Sequence, residues 1–528
     1  MSETNEKMTF GKIERRQARS RQEETKKKRV RLISILVIVA LAIAFSGALF
    51  LNSNYIRRNF PAVTVGGRDF TAAEFDFFFI HAYFDYQQAV VDQMGGFVPG
   101  MMPEPGWPLR SQIQNHTTGE TWADFFNDLT ITQIAELVEL YSAAMDYGYV
   151  LRDGSRAVMD EEIEMLMMMA EWEGISFTAH LRNIYGRSVN ERVFREMSEF
   201  MFTANSFNEY MWDTFAYTPE ALSEFYEENI DMFDNFTYRI FLFRAETVNM
   251  VDFESTEEFE EAREQALESA RVQAAAIAAG IETEEDFIAA ASAFDDIEFG
   301  EPDSTLRVFP GEWLGGVYGP WMRDPSRTFG DITTEDIPTG THVIFFINRD
   351  SNEYRMVDMR QILFSREQSM FIDFDDIEDD DARQEAMDMF QQMEMQAEMD
   401  VRLRAEAVYN LFVEGGATEE LLLELMAEHS DDHTEGGLYT DISKVITQNK
   451  LVPEIEEWLF APGRDIGDFA LIRTEDFGYH LVFFTGFGES YRDFIADARM
   501  RDRDHAEWFE NLEPVGNARR WAFFLTSQ

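Results

Sequence analysis

The chain has 528 residues, 99 acidic against 45 basic side chains for a formal net charge of −54, and no cysteine. At roughly 100 to 200 residues per domain, that length suggests three to five domains. A body this negative repels phosphate backbones, which makes nucleic acid a poor partner. The missing thiol removes disulfides, thiolate metal sites, iron–sulfur clusters and cysteine nucleophiles together.

The charge changes sign along the chain. Residues 1–31 carry eleven basic and five acidic side chains, net +6, which leaves −60 for the other 497. Leu32 to Leu51 is a run of twenty residues without a charge. At about 1.5 Å per residue it reaches across a hydrocarbon core of about 30 Å, and it predicts a transmembrane helix. The competing reading is a cleaved signal peptide, whose apolar core is usually about 7 to 15 residues; no good small-x-small cleavage site follows Leu51. The basic run Lys26 to Arg31 predicts a cytoplasmic N-terminus, a single pass through the cell membrane and an extracytoplasmic body from about Asn52 onward.

In that body, Val63 and Val65 alternate as in a short strand, Gly66 and Gly67 turn it, and Thr71 with Glu74 forms a capping box that starts a helix. Apolar residues then recur at three and four spacings from about Thr121 to Phe233. Within this helical region Ser188 with Glu191 predicts another capping box, and Thr218-Pro219 an N-cap followed by proline at the first helical position.

The pattern changes at Thr237, where TYRIFLFRAE reads as a strand, followed by two helical stretches, glycine- and proline-punctuated segments and the closing strand THVIFFINRD. The same order begins again at Val357 and closes with GYHLVFFTG. Ile240 and Gln361 are 121 apart, Trp321 and Trp458 are 137 apart, and His342 and His480 are 138 apart. Each tryptophan opens W-x-x-x-P-x-R-x-x-G-D, with Pro325, Arg327, Gly330 and Asp331 in one copy and Pro462, Arg464, Gly467 and Asp468 in the other. The chain therefore carries an internal repeat, whose offset jumps by 16 in a helical region where the second copy has extra material.

The elements RQILF, EHSDDHTEGG, KLVPEIEEWLFAPG and FGYHLVFF appear in the second copy in the order and spacing of a parvulin-type peptidylprolyl isomerase domain, which this copy resembles from about 357 to 486. Upstream, TVGGRDFTAAEF, GISFTAHLRNIYG and TPEALSEFYEENIDMF resemble the helical chaperone segment of the SurA, PrsA and PpiD group. The resemblance implies an α+β fold: a basic tail (1–31), a single transmembrane helix (32–51), a helical SurA-like chaperone domain (57–235), and two tandem parvulin-like α+β modules. The first module (236–350) is degenerate, the second (354–488) is the isomerase, and a helical segment (489–528) ends the chain.

Carried over position by position, the strand-one histidine falls on Gln361, the Cys-or-Asp position after the S-D turn on Asp432, and the closing-strand histidine on His480. The apolar slot for the proline ring falls on Leu451 and Ile455. Gln361 hydrogen-bonds like a histidine but does not titrate near neutrality, so the resemblance implies weak activity. In the first copy Ile240 replaces the strand-one histidine and Ala291 to Asp296 lacks the S-D turn, which implies a structural or client-binding module. Proline isomerisation crosses an amide-resonance barrier of about 18 to 20 kcal/mol and requires no cofactor. The implied partners are newly exported, partly unfolded polypeptides with X-Pro bonds, held near the membrane. Two alternatives stay open: a holdase that does not turn prolines, and a scaffold of a membrane complex using the same surfaces.

Other features read as structural. His429 and His433 have ligand spacing beside Glu428 and Asp431, but they fall on the turn after a helix, and no metal site is assigned. The acidic run Asp373 to Asp381 lacks the oxygen ligand and the glycine of a calcium loop and reads as a solvated loop. Met165 to Met169 and MDMFQQMEMQAEMD read either as helix core or as an adaptable apolar surface for varied partners.

Overall fold

The computed structural model describes residues 37–43, 45, 47, 50, 54–293, 305–366, 380–444, 452–516 and 518–520, with the side chains of 380, 381 and 435 left undescribed. The basic tail, Leu451, most of the acidic run and the end of the Ala291–Asp296 stretch lie outside the described residues. The chain divides into two compact units, Met1–Phe215 with Arg503–Gln528, and Ala216–Asp502.

The expected transmembrane helix is corrected by the structure. Among the described residues no helix is long and apolar enough to cross a membrane. The membrane localisation and the extracytoplasmic placement of the body fall with it. The fold is mixed helix and sheet, α+β, with no spanning helix among the described residues.

The first unit begins with α1 (Asn54–Asn59), β1 (Pro61–Val65) and β2 (Arg68–Thr71), followed by α2 (Ala72–Met94). Gly66 and Gly67, at φ 57° and 79°, make the turn between the strands. Thr71 and Glu74 form the expected capping box. After the short strands β3 (Ile113–Asn115) and β4 (Glu120–Thr121) come α3 (Trp122–Tyr147), α4 (Asp153–Trp172), α5 (Phe177–Tyr185) and α6 (Glu191–Thr214). Their apolar faces share one core, rich in aromatic rings, that includes Phe70, Phe77, Phe126 and Phe200.

The predicted capping box at Ser188 does not form. The N-cap of α6 is Asn190, whose side chain accepts from the Val193 N–H. Ser188 is buried, and its hydroxyl donates to Asp76, a carboxylate paired with Arg57. A contact distant in sequence has taken the group that the local pattern assigned to the helix. The methionines of α4 are also placed outward: Met165, Met167, Met168 and Met169 are exposed rather than core.

The second unit opens with α7 (Pro219–Glu228), capped by Thr218 with proline at its first turn, and α8 (Ile230–Phe233). Its first module contains β5 (Asn235–Arg244), α9 (Thr256–Ala278), α10 (Glu284–Ser292), β6 (Leu306–Pro310), α11 (Gly319–Met322), β7 (Ile332–Ile337) and β8 (Gly340–Asp350). The second module contains β9 (Arg355–Ser365), α12 (Asp380–Glu414), α13 (Glu419–His429), β10 (Leu438–Ile442), α14 (Pro453–Leu459), β11 (Phe469–Thr474) and β12 (Gly478–Ser490). The final helix, α15 (Tyr491–Glu510), contributes its start to this unit and its end to the first, where the two-residue strand β13 (Arg519–Arg520) pairs with β1.

Both modules hold an antiparallel four-stranded sheet of one topology, β6-β5-β8-β7 and β10-β9-β12-β11. Helices α9 and α10 cover one face of the first sheet, and α12 and α13 the matching face of the second. The register repeats as well. Ile240 pairs with Ile344 and Gln361 with Val482, while Leu242 and Glu335 flank His342 as Leu363 and Ile472 flank His480.

The shared W-x-x-x-P-x-R-x-x-G-D motif is a clasp at the edge of each sheet. Arg327 lies 4.8 Å over Trp321 and Arg464 3.9 Å over Trp458. Each arginine pairs with the closing aspartate, Asp331 or Asp468. Gly330 and Gly467 donate to the carbonyls of Phe346 and Phe484, whose N–H groups donate back to Asp331 and Asp468. The motif thus docks the chain onto the last strand of each sheet.

Asn352, fully buried between β8 and β9 at φ 58°, ties α7 and α8 to the two modules. Its amide donates to Tyr226 Oη at 3.0 Å and to the Phe233 carbonyl at 2.9 Å, and its Oδ1 accepts from Asn235 at 2.6 Å. Replacing it leaves buried polar groups unpaired, each costing about 1–3 kcal/mol, and removes a side chain that tolerates the left-handed backbone. Asn352→Ala is expected to destabilise this unit by at least about 3 kcal/mol, read by urea unfolding and by hydrogen exchange of the β8 amides. Asn352→Gly, which relieves the backbone alone, should recover only about 1 kcal/mol of that.

Candidate functional site

Strand alternation sends Ile362, Phe364, Leu481 and Phe483 to the face under α12 and α13, and Met359, Val482 and Phe484 to the opposite face. Gln361 and His480 share this second face, on neighbouring central strands. Gly478, at φ 112°, begins β12 against β9, where a Cβ would sit 2.5 Å from the Phe364 carbonyl. Its counterpart Gly340 meets the Phe243 carbonyl at 2.2 Å in the same way.

After α13 ends at His429, Ser430 and the two aspartates fold back onto β9. The Asp431 N–H donates to the Leu363 carbonyl at 2.8 Å, and its carboxylate accepts from the N–H and hydroxyl of Ser365 and from Arg404. This leaves Asp432 beside Gln361. Gly437 then passes so close that a Cβ would lie 2.5 Å from the Gln361 carbonyl, which requires glycine there. Arg360 fixes the turn by donating to the Gly436 carbonyl at 2.6 Å while paired with Glu419.

These elements bring three of the five predicted site residues into one hydrogen-bond chain. Gln361 Nε2 donates to Asp432 Oδ2 at 3.0 Å, and its Oε1 lies 2.9 Å from His480 Nδ1. Because that amide oxygen only accepts, His480 carries its proton on Nδ1. Its Nε2 is then free to accept from the hydroxyl of Thr474 at 3.0 Å. At the other end, Tyr439 Oη donates to Asp432 Oδ2 at 2.7 Å and the Thr434 N–H donates to Oδ1 at 2.9 Å. His480 and Asp432 are linked through the glutamine amide.

Burial divides the set by role. His480 is 4% exposed and Gln361 8%, while Asp432 and Tyr439 are half-buried and Thr434 is exposed. Burial pushes the His480 imidazole down to about 4, against the opposing pull of Asp432 and Glu454. For Asp432, burial pushes the carboxyl up, but the bonds from Thr434, Tyr439 and Gln361 outweigh it and hold the group below its ordinary value. The result at neutral pH is an ionised carboxylate near the surface over a neutral imidazole.

Of the two predicted slot residues, Leu451 lies outside the described residues. Ile455 is 1% exposed and packs with Val357, Met359, Leu459, Val482 and Phe484. Its place is the core beneath the site. The exposed apolar group beside His480 is Phe477, 51% exposed, with ring centroids 6.5 Å apart. Tyr439, Thr434, Thr474 and Phe477 were not identified from sequence. Phe477 opens the FGYH stretch and Tyr439 follows the Gly436-Gly437 pair by two residues, and that proximity is the signal that could have found them.

The first module lacks this chain. Ile240 cannot bridge, and among the described residues His342 Nδ1 has no hydrogen-bond partner. Opposite His342 stands Glu335, nearly buried, its carboxyl raised by burial and by Asp336.

No family model matches the sequence, and no curated protein matches it. Among solved structures, the crystal structure of PrsA from Bacillus subtilis shows a distant similarity. It is 10% identical, with 59% of this chain and 91% of that one covered, at a TM-score of 0.14.

The His480 environment sets a pH dependence. Above 6.5 the imidazole is neutral in both states. Below that value the unfolded chain takes up a proton that the folded site resists until about 4, so stability falls as pH drops through this window. The expected loss is about 3 kcal/mol, at 1.36 kcal/mol per unit. The contribution of Asp432, whose carboxyl is held low, is lost only at more acid pH, below its ordinary value of 3.8. Urea titrations at a series of pH values should show the first loss in the wild-type chain and not in His480→Asn.

Proposed function

We propose that this chain is a folding factor that acts on unfolded polypeptides, and that its second module is a peptidylprolyl cis-trans isomerase. The observation that carries the reading is the oriented carboxylate of Asp432. It sits near the surface, fixed by Tyr439, Thr434 and Gln361, with buried neutral His480 behind it.

A planar prolyl amide places negative charge on its oxygen through resonance with the nitrogen. A fixed anion beside that oxygen disfavours the conjugated form more than the twisted one, in which the resonance is lost. Tyr439 and Thr434 add hydroxyl groups at the same rim, and Phe477 supplies an apolar wall for the ring. Such groups lower the barrier without any group transfer, because they are oriented before the substrate arrives. In this reading Asp432 and Tyr439 meet the substrate, whereas Gln361 and His480 position Asp432 from below.

The burial of Gln361 and His480 also favours a second reading, in which the module binds extended chains and does not turn their prolines. The first module, with Ile240 in place of the bridging amide, takes that binding role in either case.

A protease-coupled proline isomerisation assay on the full chain separates the two. The wild-type chain should accelerate turnover of a proline tetrapeptide. Asp432→Ala should lower kcat/KM at least about tenfold, the loss of one charge-assisted contact of about 1.5–3 kcal/mol. Tyr439→Phe is expected to lose about threefold to tenfold, within the range for one neutral hydrogen bond. No acceleration by the wild-type chain, or rates unchanged by Asp432→Ala, would sink the catalytic reading and leave the binding one.

A further inference from the structure

Helix α12 has 35 residues where its counterpart α9 has 23. It packs on the second sheet through Ala405, Val408 and Phe412, all in its C-terminal half. The methionines lie in its N-terminal half and at its middle. Met389, Met393, Met395 and Met399 are 58%, 66%, 60% and 56% exposed. At 3.6 residues per turn Met389 and Met399 fall on the side away from Val401, Ala405, Val408 and Phe412, together with Gln392, Gln396 and exposed Leu403, while Met393 and Met395 flank that side to left and right.

The charges of this stretch are arranged around that face. Glu394 and Glu398 point toward the module, where they pair with Arg366 at 3.5 Å and Arg473 at 2.7 Å. Asp388 and Asp400 stand at the two ends of the face. Between them lies a surface of thioethers and amides without a charge, in a chain where 27% of residues are charged. Exposing this much apolar surface serves a partner.

From this face we infer a holding site for unfolded polypeptide: an apolar segment flanked by basic or neutral residues lies along Met389, Met393, Met395 and Met399. Unbranched thioether side chains adapt to varied shapes, which suits clients of no fixed sequence. Charge selects among occupants. A second copy would bring another net −54 against Asp388 and Asp400, whereas basic flanks would meet those carboxylates favourably. The inference rests on the folding-factor reading and names where the client is held.

The test uses the full chain and the variant Met389→Gln/Met393→Gln/Met395→Gln/Met399→Gln. Glutamine matches methionine in helix propensity, so the helix is preserved, and circular dichroism checks it. Light scattering follows the aggregation of reduced, denatured lysozyme as a basic client and reduced α-lactalbumin as an acidic one; the chain has no cysteine for the reductant to affect. The wild-type chain should suppress lysozyme aggregation, and the variant should need about tenfold more protein for the same effect. The preference for lysozyme should shrink as salt rises. Isomerisation of the proline tetrapeptide should be equal in the two proteins. That arm reports on the catalytic reading alone, so its failure is distinct from failure of the holding site. Equal suppression by wild type and variant overturns the inference, as does absence of suppression in the wild type. A wild-type dimer in sedimentation that the variant dissolves assigns the face to a second copy and overturns it too.

Discussion

A buried imidazole on a central strand is the constraint around which the second module is organised. At 4% exposure His480 resists a charge, and a neutral ring still needs an acceptor for one nitrogen and a donor for the other. Thr474, opposite Gly478 in the hairpin register, supplies the donor. Gln361 supplies the acceptor, and an amide that accepts on one side must present its N–H groups on the other. The direction of the Asp432 carboxylate follows from that choice. The surface anion, held by Thr434, Tyr439 and Gln361, is thereby linked through one amide to a ring that solvent scarcely reaches.

The two copies show which parts of this arrangement belong to the fold. Sheet order, strand register, the tryptophan–arginine clasp and the glycine before the closing strand are common to both. They act on backbone geometry and persist whatever the face of the sheet does. The differences sit on that face: Ile240 for Gln361, and Glu335 for Ile472. Isoleucine offers neither donor nor acceptor, so the closing-strand histidine of the first copy keeps its place and loses its partner. One scaffold thus supports a linked polar chain in one copy and, in the other, a histidine and a glutamate facing each other without the bridging amide.

Much of this architecture is legible in the sequence because it depends on neighbours. Strand alternation, Thr71 with Glu74, Thr218-Pro219 and the two GxH closing strands are local patterns, and the repeated tryptophan motif and closing strand, at offsets of 137 and 138, mark the second copy. What escaped depends on contacts distant in the chain. Ser188 sits at capping distance from Glu191, yet its hydroxyl belongs to Asp76, 112 residues away. Tyr439 and Thr474 are ordinary strand residues until the sheet sets them beside Asp432 and His480. The resemblance puts Ile455 in the slot, and the depth at which α14 packs it, 1% exposed, depends on strands β9 and β12 distant in the chain. The apolar run at 32–51 was judged by length and hydropathy, and among the described residues no helix meets both requirements.

The net charge of the chain bears on both surfaces assigned to the second module. Asp432 stays ionised among many other carboxylates because its stabilisation is local, from donors within 3.0 Å, and short hydrogen bonds outweigh a diffuse, screened field. On α12 the solution is the reverse. Glu394 and Glu398 are drawn to arginines on the module side, and the outward face is left to methionine and glutamine. A uniformly acidic surface would keep the chain soluble but would repel acidic segments everywhere and offer apolar ones no place to rest. The same module thus keeps charge off one helical face of α12 and fixes a single anion at the surface above His480, two opposite uses of charge within one acidic chain.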